Sequence, residues 1–314
     1  MDLNAFPYGD HQTAEFKNTD EPNSPRVKVD IRARGKSRRS CVFPPIYVQW
    51  NKELTEKKGT VFHGLKGQDL KLSTHCFYTN SKNEQDAKAF DDRVAHEYAL
   101  YKILKAFGLP SYNVRLAKIL YKDPKNADKN FSAPAFFIEP HAEVAQRCHL
   151  THIKKDQINA VMAKSDPRVY VPYLLARLIV DARDFYVTHS YWPGHNSEPF
   201  MGSDGFAKLV LPYDFNDSGI LSAQFIAGWS FDSNLKTYID LLKQGPFTRD
   251  QSLDPKLTDQ QKLEWQAELR SSILELSGKL QAVNDYIDSL PLLPESKEKT
   301  KNYLSNLFSK LKEI

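Results

Sequence analysis

Asp184, Asn196 and Asp214 run in the order acid, amide, acid, and Asp214 leads directly into Phe215. Carboxylate and amide oxygens are hard donors, of the kind that hold magnesium beside phosphate and water. A positioned carboxylate can also take a proton from a reacting hydroxyl. Upstream, Lys71 carries a mobile ammonium able to bind phosphate oxygen, and Glu97 a carboxylate able to orient it. Each residue has a plainer explanation by itself. Lys71 reads as an exposed strand lysine, and Asn196 and Asp214 read as caps of turns. His195, next to Asn196, reads as a turn or positioning residue rather than a base. The separate explanations do not predict one ordered set, and the order is what points to a site.

The elements around these residues can be read from periodicity. Residues 1–25 are polar without a clear period and read as an irregular N-terminal arm. From Arg26 to Arg34, Val27, Val29, Ile31 and Ala33 alternate with Lys28, Asp30 and Arg32, the pattern of a half-buried strand. Gly35-Lys-Ser37 makes a turn, and residues 42–50 give a second strand that Pro44-Pro45 assigns to a sheet edge. A third strand over 69–77 sets Leu70, Leu72, Thr74 and Cys76 on one face and Lys71, Ser73 and His75 on the other. A helix over 86–107 stops at Gly108 and Pro110. Its apolar stripe holds Phe90, Val94, Tyr101 and Leu104, and Glu97 falls on that stripe. A carboxylate there sits at the rim of the stripe or pairs with Lys71, because an unpaired buried charge is costly. Strands follow over 114–121 and 135–139, and an apolar helix over 170–182 ends just before Asp184. Two strands around 200–211 lead into Asp214, and amphipathic helices over 257–290 and 296–314 are separated by Pro291 and Pro294.

With 314 residues and 41% hydrophobic side chains, the chain can bury a sizeable core. A net charge of +4 is too mild to imply a nucleic-acid partner. The seven Lys and Arg between Arg26 and Arg39 lack the interleaved aromatics of a single-strand binder. No apolar run approaches the ~20 residues that cross a bilayer, so no membrane span is expected. The N-terminus lacks the basic and apolar runs of a secretion signal. Cys41, Cys76 and Cys148 form no CxxC pair. His141, Cys148, His149 and His152 cluster locally, and a helix and loop with scattered polar residues explains them more simply than a metal site.

A basic Gly turn between strands, a strand lysine, a helix glutamate, then Asp, Asn and Asp-Phe is an order that resembles the protein-kinase-like fold. More closely it is similar to the CotH-like branch of atypical kinases, and most of all to a group of uncharacterised bacterial proteins of that fold. The resemblance rests on Arg34-Gly35, Cys41-Val-Phe-Pro-Pro45, Leu70-Lys-Leu-Ser-Thr-His-Cys76 and Glu97-Tyr-Ala-Leu-Tyr101. It continues through Phe137-Ile-Glu139, His195-Asn196 and Pro212-Tyr-Asp-Phe215, and spans residues 26–220. It implies an α+β, bilobal fold, with a small antiparallel-sheet lobe carrying one helix over 26–139 and a mostly helical lobe over 140–314.

The roles the resemblance implies are those of an ATP- and magnesium-dependent phosphotransferase acting on a protein or small-molecule acceptor. Related folds also run nucleotidyl transfer and glutamylation. Lys71 would reach the nucleotide phosphates, with Glu97 holding it. Gly35, Lys36, Arg38 and Arg39 would cover the phosphates. Glu139 would lie where the nucleobase sits. Asp184 would be the catalytic carboxylate, and Asn196 and Asp214 the magnesium ligands. The chain departs from that plan in places. Asp184 and Asn196 are 12 residues apart, against about five in ordinary kinases, which makes Asp181 a rival for the catalytic role. The phosphate-covering turn has one glycine, and Asn216, Asp217 and Gly219 replace a compact Asp-Phe-Gly. These departures suit the alternative of a pseudokinase or phospho-ligand-binding module without turnover. The resemblance also implies a Cys41–Cys76 disulfide in an exported protein, if a leader has been removed; otherwise the destination is the cytoplasm.

Overall fold

The computed structural model describes residues 12–18, 23–34, 44–51, 53–56, 60, 62–65, 69–74, 84–122, 130–182, 187–191, 193–215, 218, 220, 231–246 and 256–314. The chain divides into two compact units, residues 1–98 with 113–147 and residues 99–112 with 148–314. Both combine antiparallel strands with helices, so the fold class is α+β.

In the first unit, strands β1 (Gln12–Phe16), β2 (Val27–Ala33), β3 (Ile46–Gln49), β4 (Asp69–Ser73), β5 (Val114–Tyr121) and β6 (Phe131–Ile138) form one sheet in the order β1-β2-β3-β4-β6-β5. Every pairing is antiparallel. A short helix, α1 (Glu53–Glu56), lies between β3 and β4, and α2 (Glu84–Phe107) follows β4. The alternation read in β2 is realised: Val27, Val29 and Ile31 are buried, while Lys28 and Asp30 are exposed. They join Ile46, Val48, Leu70, Leu72 and Ala135 in a core on one sheet face, closed by Trp50 stacked on Phe62 at 4.4 Å.

Three expectations are corrected here. Residues 12–16, expected within an irregular arm, are an edge strand, because Ala14 and Phe16 pack against the apolar core. The second strand is not at an edge, since β3 lies between β2 and β4. Pro44 and Pro45 precede it instead of interrupting it, so each residue from Ile46 to Gln49 keeps a backbone donor. Strand β6 also starts earlier than expected. It carries Pro134 beyond the Phe136–Ile138 stretch that β4 pairs with, where a missing donor costs no ladder bond on that side.

The opposite sheet face is defined by register. Lys71 is opposite Ile138 and Ser73 opposite Phe136, so these four side chains share one face. Helix α2 covers it: Tyr98 meets Phe136 edge-on at 6.1 Å, and Val94, Ala95, His96 and Glu97 are buried.

The second unit takes the last part of α2 and ends it at Gly108, whose φ of 80° suits glycine alone. The Lys279 ammonium donates to the terminal carbonyl of Phe107 at 2.9 Å. The unit's sheet has the order β7 (Thr151–His152), β8 (Ser197–Met201), β9 (Ala207–Pro212). Helix α4 (Ile158–Lys164) precedes α5 (Tyr170–Ile179), which is apolar on nearly every side and accordingly buried. After α6 (Phe231–Gln244), the 31-residue α7 (Asp259–Ser289) opens with a Thr258–Gln261 capping box. Its Trp265 is fully buried and donates its indole N–H to the Leu242 carbonyl of α6 at 2.8 Å. Helix α8 (Pro294–Leu311) begins with Pro294 in its first turn. Among the described residues no helix is long and apolar enough to cross a membrane.

Candidate functional site

The first unit brings Lys71 and Glu97 to the same side of the sheet. Lys71 and Ser73 are two residues apart on β4 and therefore point the same way. Ser73 donates its hydroxyl to a Glu97 carboxylate oxygen at 3.1 Å, and both residues are buried. Glu97 thus lies on the buried stripe and not at its rim. Sequence reading offered Lys71 as its partner; the hydrogen bond seen comes from Ser73, on the same strand face. The Lys71 ammonium, half-buried, lies 3.2 Å from Nε2 of His141, the first residue of α3 (His141–Cys148).

Glu139, read as a residue near the nucleobase, has its carboxylate committed to structure. One oxygen accepts from Arg147 Nε at 2.8 Å and Asn113 Nδ2 at 3.0 Å. The other accepts from the Asn113 backbone N–H at 2.9 Å and Arg147 Nη2 at 3.1 Å. This fork ties the start of β5 and the last turn of α3 to the end of β6. The Glu139 N–H donates to the Asn113 carbonyl, and the Pro140 carbonyl accepts from Glu143 and Val144. Pro140 has no N–H to offer.

In the second unit, β8 and β9 form a hairpin whose open end carries the two expected magnesium ligands. Ser197 pairs with Pro212, and one step beyond, the Tyr213 N–H donates to the Asn196 carbonyl at 3.1 Å. Asn196 is therefore the residue before the first strand of the hairpin, and Asp214 comes just after the second. Both are half-buried, with φ of 50° and 64°. Left-handed backbone is uncommon outside glycine, and such strain gathers at functional sites. Asn and Asp tolerate it best. The donor set, one carboxylate and one amide, has the hard oxygen chemistry that magnesium prefers.

Neighbouring side chains hold the chain at both positions. Behind Asp214, the ring of Phe215 is fully buried against Tyr101 of α2, with centroids 4.5 Å apart, and the Tyr101 hydroxyl accepts the Asp214 N–H at 3.0 Å. Next to Asn196, the Ser197 hydroxyl is bonded to the Tyr173 hydroxyl of α5 at 2.7 Å and to the His195 carbonyl at 3.2 Å. The chain before it is held by Asn159 of α4, whose amide makes two bonds to the His189 backbone, at 3.0 and 3.2 Å. Gly194 has φ of 70°, and a Cβ there would lie 2.6 Å from Ile158 Cδ1. A second polar pair in this unit, His152 Nε2 with a carboxylate oxygen of the buried Glu198 at 2.7 Å, was not anticipated.

Asp184, Gly35, Lys36, Arg38 and Arg39 lie outside the described residues, as do Cys41 and Cys76. The rival carboxylate, Asp181, is described: it is half-buried just past α5 with φ of 43°, and its N–H donates to the Leu178 carbonyl. Sequence reading missed Ser73, Tyr101 and His141 as parts of the arrangement. The first two stood in quoted motif segments; His141 stood out only as part of a local His/Cys cluster, and nothing linked it to Lys71, 70 residues away. No family model and no curated protein matches the chain.

Proposed function

We propose that the chain is an ATP- and magnesium-dependent phosphotransferase of the CotH-like, protein-kinase-like type, with a protein or small-molecule hydroxyl as acceptor. The observation that carries this reading is the placement of Asn196 and Asp214. The two oxygen-bearing side chains flank the open end of one hairpin, both in a left-handed conformation of the kind that gathers at functional sites. The placement of Lys71 on the sheet face where Ser73 holds Glu97, with one helix following the lysine strand, supports it.

Bound Mg·ATP would supply the transferable phosphoryl group. Lys71 would bind phosphate oxygen as a point charge, and Glu97 would limit the directions its ammonium can take. Asn196 and Asp214 would give oxygens to the metal, and Asp184 would orient the acceptor hydroxyl and take its proton. ATP with magnesium should therefore raise the melting temperature, since a ligand that binds only the folded chain stabilises it by about 2.7 kcal/mol at a hundred times its Kd. Asp214→Asn should remove the magnesium-dependent part of that rise. No shift at millimolar ATP with magnesium would count decisively against the proposal.

A second reading, a nucleotide- or phospho-ligand-binding module without turnover, is favoured by the backbone at Glu139–Pro140. The Glu139 N–H and the Pro140 carbonyl are already bonded within the unit, which leaves fewer groups there for an adenine edge. Incubation with γ-labelled and α-labelled ATP separates the two readings. Transfer of γ-label supports the phosphotransferase, transfer of α-label supports nucleotidyl transfer, and binding without transfer supports the module.

A further inference from the structure

Lys71 lies on an inner strand, paired on both sides, so its backbone is fixed while its long side chain is not. A phosphate-binding ammonium needs orientation without loss of charge. A carboxylate gives orientation but opposes the charge; a neutral imidazole gives orientation alone. The Lys71 Nζ to His141 Nε2 distance of 3.2 Å is that of a hydrogen bond. An ammonium only donates, so Nε2 must be the unprotonated nitrogen and the ring proton must sit on Nδ1. The ring is itself well placed to act as a fixed stop. His141 opens α3, whose first turn is closed by bonds from Glu143 and Val144 to Pro140 and whose last turn is clamped by the Arg147–Glu139 fork.

We propose that His141 is a positioning residue for the phosphate-binding lysine, holding the Lys71 ammonium through Nε2 as a neutral Nδ1–H imidazole and leaving its full charge for phosphate. This rests on the phosphotransferase reading of Lys71. It assigns Glu139 an indirect part in the same task, as the group that fixes the helix from which the imidazole projects.

The test combines nitrogen NMR with nucleotide binding. In protein labelled with ¹⁵N-histidine, the His141 signals, identified by their loss in His141→Gln, should show a pyrrole-type Nδ1 and an unprotonated Nε2. Lys71→Met should shift the Nε2 resonance. Calorimetry with Mg·ATP should show His141→Ala weakening binding about tenfold, the scale of one hydrogen bond to a charged group. His141→Gln, whose amide oxygen can accept from the lysine, should recover most of that loss. In the Lys71→Met background, His141→Ala should cost nothing further. A protonated Nε2, unchanged affinity in His141→Ala, or an equal loss with and without Lys71 would each overturn the proposal. If the unmodified protein binds neither Mg·ATP nor Mg·ADP, the phosphotransferase reading falls, and the phosphate role of the lysine with it. The nitrogen shifts would still decide whether the lysine holds the ring.

Discussion

The left-handed backbone at Asp214 can be tested apart from any ligand by comparing Asp214→Gly with Asp214→Ala. With φ at 64°, an ordinary L-residue pays roughly 1–2 kcal/mol for the close approach of its Cβ to the following carbonyl. Glycine escapes that term but loses about 0.5–1 kcal/mol more conformational freedom on folding. The difference leaves the glycine variant more stable than the alanine variant by about 1 kcal/mol. In a chain of this size that is a shift of only about 2 °C or less, so urea unfolding, read as midpoint and slope, is the better assay. Lys28, an exposed residue of β2 in regular register opposite Glu15, provides the internal control. There the ordering should reverse, with alanine above glycine by about 0.5–1 kcal/mol, because nothing favours glycine in regular strand. Both variants at Asp214 lose the carboxylate, so both should lose magnesium-dependent nucleotide stabilisation whichever folds better. An alanine variant as stable as the glycine variant would refute the claim that the backbone is held left-handed, and with it the main structural support for a metal site.

Three further outcomes are expected. Ser73→Ala removes the hydroxyl that serves the buried Glu97 carboxylate and should cost about 2 kcal/mol by urea unfolding, the scale of a hydrogen bond to a charged group; a loss below about 0.5 kcal/mol would show that the bond contributes little. Gly194→Ala combines a left-handed φ with a Cβ 2.6 Å from Ile158 Cδ1 and 3.1 Å from the Ser197 carbonyl, and should destabilise by about 3 kcal/mol; Ile158→Ala in the same chain should relieve part of it, and additive losses would argue against the contact. The Asp166 carboxyl is held below its usual 3.8, chiefly by the side-chain hydrogen bond from Arg168, against a smaller opposing effect of burial. A lowered folded-state value means stability that is present above the unfolded value and lost as pH falls through the folded one. Arg168→Ala should therefore raise the Asp166 midpoint in a carbon-detected titration and flatten the acid limb of the stability curve, only slightly for so exposed a pair; an unmoved midpoint would remove Arg168 as the cause.

Local pattern carried a good deal of this molecule. Alternation placed Val27, Val29 and Ile31 on a buried strand face, and the stripe through Val94, Tyr101 and Leu104 placed Glu97 on the buried side of its helix. The two strands between Asn196 and Asp214 were legible as short apolar runs; their pairing, not read from the sequence, depends on neighbouring residues joined by a short turn. Reading Pro44-Pro45 as an edge signal failed because proline limits only the residues it occupies, and the strand begins after them.

What the sequence by itself determined, then, was the succession of elements, the faces they bury and the chemical types offered at their ends. These follow from spacings of two to four residues, within reach of local sterics and the hydrophobic effect. The tertiary structure alone decided which strand lies beside which, that Ser73 serves Glu97, that His141 meets Lys71, and that Asn196 and Asp214 are held left-handed. Those contacts join residues as far as 70 positions apart or depend on the geometry where two strands part. No local preference encodes them; they arise when burial of the whole sheet and its helices selects one register and one packing from many.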